Sequence, residues 1–169
     1  MVIAVVVRLT NSPRAWLTLL IVSYCLNSLP LWGEEESRQE FEARIFKMAS
    51  EGAELGDATA QCYLGNCYQS GRGVLKNDVE AVKWYRKAAE QGDVSAQLCL
   101  GICYQSGTVV VKNEVEAYKW YLLAAAQGDE VGKSSIQFFE KTILSAEQRA
   151  DGQRLATEWQ AEFEAKNKP

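Results

Sequence analysis

A chain of 169 residues, 47% apolar and 24% charged, is long enough to bury one continuous core. Residues 34–169 carry 16 basic and 22 acidic residues, a balance of −6 that disfavours nucleic acid and anionic lipid as main partners. Histidine is absent, which removes the commonest general base and the commonest metal ligand.

The chain opens with a segment unlike the rest. Arg14, the apolar run from Ala15 to Leu26, and a polar exit through Asn27, Ser28, Pro30 and Gly33 to Glu34 are the parts of a secretory signal peptide. Residues 1–33 are therefore expected to direct export, to a periplasm or out of the cell. The alternative is an uncleaved membrane anchor over residues 15–32, which would be the chain's one contact with a membrane.

Residues 34–56 read as one amphipathic helix, with Phe41, Ile45, Met48, Ala49 and Ala53 at helical spacing. A shift of 36 residues lays Met48 on Trp84, Ala53 on Ala89 and Gly56 on Gly92, which makes this the second helix of a degenerate leading repeat.

Residues 57–92 and 93–128 are one unit written twice, identical at 23 of 36 aligned positions. A fixed period of this length means stacked supersecondary units that bury their apolar faces on one another. Asp57 and Asp93 follow glycine and precede a helical pattern, as acidic N-caps do. Ala60, Leu64, Cys67 and Tyr68 fall on one face and return as Ala96, Leu100, Cys103 and Tyr104. Gly65 and Gly101 stand inside this helix, where glycine costs about 1 kcal/mol, so another helix is expected to pass close by. Gly71 and Gly107 end it. Asn77 with Glu80, and Asn113 with Glu116, have capping-box spacing and open a second helix. Its inner face is Ala81, Trp84, Tyr85, Ala88 and Ala89, matched by Ala117, Trp120, Tyr121, Ala124 and Ala125.

The pattern Ala60, Leu64, Gly65, Tyr68, Gly71, Gly73, Val74, then Asp78, Ala81, Trp84 to Ala89 and Gly92 resembles the Sel1-like repeat, a relative of the tetratricopeptide repeat. The resemblance implies an all-α fold, an α/α superhelix (solenoid) of antiparallel helix pairs whose first helices line a concave surface for protein partners. The second repeat departs from the pattern at Val109, which replaces Gly73, and at Leu122 and Leu123, which replace Arg86 and Lys87.

Residues 129–169 begin a third, degenerate repeat at Asp129, with Val131, Ile136, Phe138, Phe139 and Ile143 as its apolar residues. Ser145 and Gln148 then have capping-box spacing before a helix carrying Leu155, Trp159 and Phe163. This end is similar to the C-terminal capping helix of many Sel1-like chains, and Leu122 and Leu123 are its expected contacts.

The cysteines invite chemistry. Cys67 and Cys103 hold the same repeat position, and equivalent residues on stacked helices lie too far apart to bridge. Cys62 and Cys99, out of step by one residue, are the pair within reach of a disulfide; small apolar packing and metal or redox work are the other readings. The cysteine-rich branch of the family, linked to penicillin binding and β-lactam hydrolysis, implies an envelope hydrolase as the alternative function. The positions that define its disulfides hold Ala88, Ala89 and Gln97 here.

No Ser-x-x-Lys, Gly-x-Ser-x-Gly or Walker sequence is present. The expectation is a monomeric, non-enzymatic scaffold for a protein or peptide ligand, without cofactor. Tyr63, Asn66, Gln69, Ser70, Ile102, Gln105 and Ser106 project from the first helices on the face the core does not use. They are the candidate partner-binding residues, with a plain solvated surface as the alternative.

Overall fold

A computed structural model describes residues 38–168, in which every regular element is a helix. These are α1 (Arg38–Glu54), α2 (Ala58–Ser70), α3 (Asp78–Glu90), α4 (Val94–Ser106), α5 (Glu114–Ala126), α6 (Glu130–Thr142) and α7 (Ala146–Lys166). Helix α2 pairs with α3 and α4 with α5; α3 then packs on α4, and α5 on both α6 and α7. None of these helices is long and apolar enough to cross a membrane.

One joint recurs three times. Gly56, Gly92 and Gly128 take φ of 90°, 88° and 94°, and the next residue's N–H donates back to Gly52, Ala88 and Ala124 at 3.1, 3.0 and 3.2 Å. This Schellman closure satisfies carbonyls that the helix end leaves free. The same aspartates then cap the following helix, accepting from Ala60, Ala96 and Gly132 at 2.7, 2.8 and 2.7 Å. Each such cap stabilises by about 1 kcal/mol. The same joint thus leads from α1 into the first full repeat and from the second full repeat into α6.

The loops inside the repeats are also copies. Gly71 and Gly107 end α2 and α4 in the left-handed region, and Asn77 and Asn113 cap α3 and α5 by accepting two backbone N–H groups each. The capping boxes expected there are half-formed. The N–H of Asn77 goes to the Tyr68 carbonyl and that of Asn113 to the Tyr104 carbonyl, so Glu80 and Glu116 turn forward to Lys83 and Lys119 instead. Ser145 and Gln148 do close the full reciprocal box at the start of α7.

The expected inner faces are buried at Leu64, Cys67, Ala81, Tyr85, Ala88 and Ala89, and at Ala96, Leu100, Cys103, Ala117, Trp120, Tyr121 and Ala124. Val82 and Tyr118, one position on from Ala81 and Ala117, are buried as well. Both glycines inside first helices touch an aromatic ring. A β-carbon added at Gly65 would stand 2.6 Å from Tyr85 Cε1, and one at Gly101 2.6 Å from Tyr121 Cε1.

Three apolar expectations need correction. Met48 is 64% exposed, because it borders an open groove with Ile45, Ala60 and Tyr63, whereas its counterpart Trp120 is covered by α7 through Trp159. Phe41 is likewise exposed on α1. Of the apolar residues expected in α6 only Phe139 is fully buried; Val131 and Phe138 point outward because the core meets that helix along the line of Gly132, Ile136 and Phe139. The capping role of α7 is as expected: Ala156 and Trp159 pack in one cluster with Leu122 and Leu123, and Gly152 lies against the Tyr118 ring.

Candidate functional site

The first helices present their outer residues in columns with a period of 36 residues. Asn66, Ile102 and Phe138 form one column and Gln69, Gln105 and Lys141 the next, each continuing from α2 through α4 to α6. On α2, Tyr63, Asn66, Gln69 and Ser70 line a shallow depression of about 300 Å³ together with Cys67 and Arg72. The expected surface residues of the first repeat therefore converge on one spot. Ile102 and Gln105 belong to the neighbouring step of the same columns.

The amides of this surface are held from behind. The Tyr85 hydroxyl, buried in the repeat core, lies 2.8 Å from Asn66 Oδ1 and 3.1 Å from Gln69 Oε1, and shares its one hydrogen between them. One repeat on, the Tyr121 hydroxyl donates to Gln105 Oε1 at 2.7 Å. Burial raises both phenols, Tyr121 to about 12, so both remain protonated donors across the physiological range. With the amide oxygens engaged inward, the NH2 groups of Asn66, Gln69 and Gln105 are left to face solvent as donors. Ser70 spends its hydrogen on the Asn66 carbonyl at 2.7 Å.

Arg72 adds charge to this array and makes no ion pair among the described residues, in contrast to Lys76, Lys83 and Lys119. Beside the donors stand exposed apolar side chains: Ile102 is 53% exposed and Phe138 51%. Arg72 and Phe138 were not among the residues expected from the sequence. The period contained the signal for Phe138, since it is the third member of the Asn66 and Ile102 column. Arg72 carried none, because its position in the second repeat holds Thr108.

The described tryptophans pack against neighbouring side chains. Trp120 is buried under Lys119 and against Trp159, and Trp84 is half-buried beneath Lys87, whose ammonium sits 4.1 Å from the ring centroid. The described cysteines are free thiols, and no group of histidine, cysteine or acidic residues among the described residues is arranged to hold a metal.

The profile described as Sel1 repeat matches residues 58–93 and 94–129. Among solved structures, the Helicobacter pylori cysteine rich protein B is 32% identical, over 54% of this chain and 68% of its own, with a TM-score of 0.52. The chain belongs to the Sel1 repeat family. A Sel1 repeat protein from Oxalobacter formigenes is 39% identical over 59% of this chain, with a TM-score of 0.58. A protective antigen of uropathogenic Escherichia coli strains with an SLR fold is 29% identical over 82% of this chain, with a TM-score of 0.67. This Sel1 repeat chain spans 41% of the length of the Oxalobacter protein and 30% of that of the Escherichia coli antigen. No functionally curated sequence matches it.

Proposed function

We propose that this Sel1 repeat chain is a non-enzymatic scaffold that captures an extended protein segment along its first helices. The observation that carries the reading is the fixation of Asn66, Gln69 and Gln105 by tyrosine hydroxyls of the core. A surface amide free to rotate serves water as well as any ligand, whereas one locked oxygen-inward offers two donors in a set direction at little further entropic cost. Backbone carbonyls and carboxylates of an extended partner supply the matching acceptors. Tyr63, Ile102 and Phe138 would take its apolar side chains, and Arg72 an acidic one. Family membership supports protein binding in general; the segment's chemistry is our reading of this surface.

The apolar run before Asn27 supports export as the setting, and N-terminal sequencing of the mature protein tests it. Proximity labelling in the native cell supplies candidate partners. Calorimetry with the purified candidate should then show affinity falling at least tenfold in the triple variant Asn66→Ala, Gln69→Ala, Gln105→Ala. Unchanged affinity in that variant refutes the surface.

A further inference from the structure

Cys62 and Cys99 meet across the boundary between the two repeats. A shift of 36 residues lays Cys62 on Leu98 and Cys99 on Tyr63, so the pair is staggered by one position and is no copy of a repeat contact. The stagger matters. Leu98 faces forward into the cluster around Tyr118, Tyr121 and Phe139, and Cys62 faces forward in the same way, into the cluster of Ala96, Leu100 and Cys103. Cys99 sits one residue further round its helix and packs back against that same cluster. Cys62 and Cys99 pack in the same cluster, and each thiol lies close enough to alter the other's ionisation. Cys67 and Cys103, in equivalent places, have no such partner relationship with each other.

The two sulfurs differ in a way that suits sequential chemistry. Cys62 is buried, and its thiol is pushed up by the neighbouring Cys99, by burial and by the Asp93 carboxylate. Cys99 is only half-buried, and the neighbouring Cys62 thiol brings it below an ordinary thiol against the opposing effect of burial. Cys99, the less buried residue of the pair and the one whose thiol is brought down, is the one a small disulfide meets first.

We propose that Cys62 and Cys99 form a reversible dithiol–disulfide pair that staples α2 to α4. The oxidant is a low-molecular-weight disulfide of the glutathione class. The Cys99 thiolate attacks one sulfur of the oxidant, forming a mixed disulfide and expelling a thiolate. Cys62 gives its proton to that leaving thiolate and attacks the Cys99 sulfur, closing the protein disulfide and releasing the second thiolate, which takes up the remaining proton from solvent. Two protein thiols and one disulfide become one protein disulfide and two small thiols. The bond fixes the step between the repeats, and with it the spacing of Asn66 from Ile102 on the outer columns.

The test uses the full chain, reduced and then incubated with oxidised glutathione, alkylated with iodoacetamide and digested without reduction. Mass spectrometry should find the peptide holding Cys62 joined to the one holding Cys99, with fragmentation placing alkyl groups on Cys67 and Cys103. In Cys62→Ser the resolving thiol is missing, and glutathione should remain on Cys99 as a stable mixed disulfide. Free thiols throughout in the wild-type chain, glutathione left there on Cys99 alone, or a link through Cys25, Cys67 or Cys103 would each overturn the proposal. The wild-type linkage decides the matter even where the variant does not fold.

Discussion

The ring of Tyr121 rests on the backbone of Gly101, close enough that a β-carbon there would meet Cε1 at 2.6 Å and Cδ1 and Cζ at 2.9 Å. Glycine in mid-helix normally loses about 1 kcal/mol to alanine, so the usual expectation for Gly101→Ala is stabilisation. Here the order reverses. Tyr121 is wedged against Phe139 and tied by its hydroxyl to Gln105, so it has no room to retreat. Overpacking of this kind costs about 1–3 kcal/mol beyond the propensity gain. Urea unfolding should therefore place Gly101→Ala below the wild type, and a double variant with Tyr121→Leu should recover part of the loss.

The buried phenols make the fold sensitive to alkali. Burial raises Tyr121 to about 12, and burial together with the hydrogen bond to Glu140 raises Tyr118 to about 12. An unfolded tyrosine ionises near 10, so the unfolded chain loses these protons first. The stabilisation is complete below about pH 10 and is lost as pH rises through about 12. Thermal melts should show Tm beginning to fall above about pH 8.5, as the raised Cys62, Cys67 and Cys103 thiols contribute, and falling most steeply between about pH 10 and 12. Tyr118→Phe, which has no proton to lose, should show a shallower fall.

Val109 takes φ of 67°, the left-handed conformation that Gly73 takes at 70° one repeat earlier. A β-branched side chain is strained there by about 1–3 kcal/mol. The two positions are not interchangeable. A β-carbon at Gly73 would collide with the Glu42 carbonyl oxygen on α1, while Val109 is exposed. Val109→Gly should raise the denaturation midpoint by about 1 kcal/mol of stability after the entropic loss of glycine. Gly73→Val should lower it sharply, through collision with α1 as well as strain.

That contrast also marks how much could be read from the sequence. Period, caps and inner faces were legible because each rests on local chemistry: an aspartate after a glycine, an asparagine before an acidic turn, alanines where helices touch. The Gln69 and Gln105 positions were legible as outward, but their tie to Tyr85 and Tyr121 was not, since it joins residues 16 apart across a hairpin. Met48 and Phe138 misled for a related reason. Helical spacing says which residues share a face, and only the neighbouring elements say whether anything covers it. The half-formed boxes at Asn77 and Asn113 failed through competition, because a tyrosine carbonyl reached the N–H first.

Gln61 and Gln97 occupy the same repeat position and are both buried, yet they should answer differently to replacement. Gln61 is satisfied at both ends: its Nε2 donates to the Ala53 carbonyl at 3.2 Å, and its Oε1 accepts from Gln91 at 2.7 Å. Gln97 accepts from Gln127 at 3.1 Å, but its Nε2 is buried without a partner. An unsatisfied buried donor costs about 1–3 kcal/mol, which an apolar side chain of similar shape recovers. Gln127 keeps its second bond, to the Gly92 carbonyl at 3.0 Å, whatever stands at position 97. Gln61→Leu should therefore destabilise by about 1 kcal/mol, while Gln97→Leu should be neutral or stabilising. Chemical denaturation of the two variants side by side checks this. Equal losses at both positions would mean that the Gln97 amide is satisfied in solution after all.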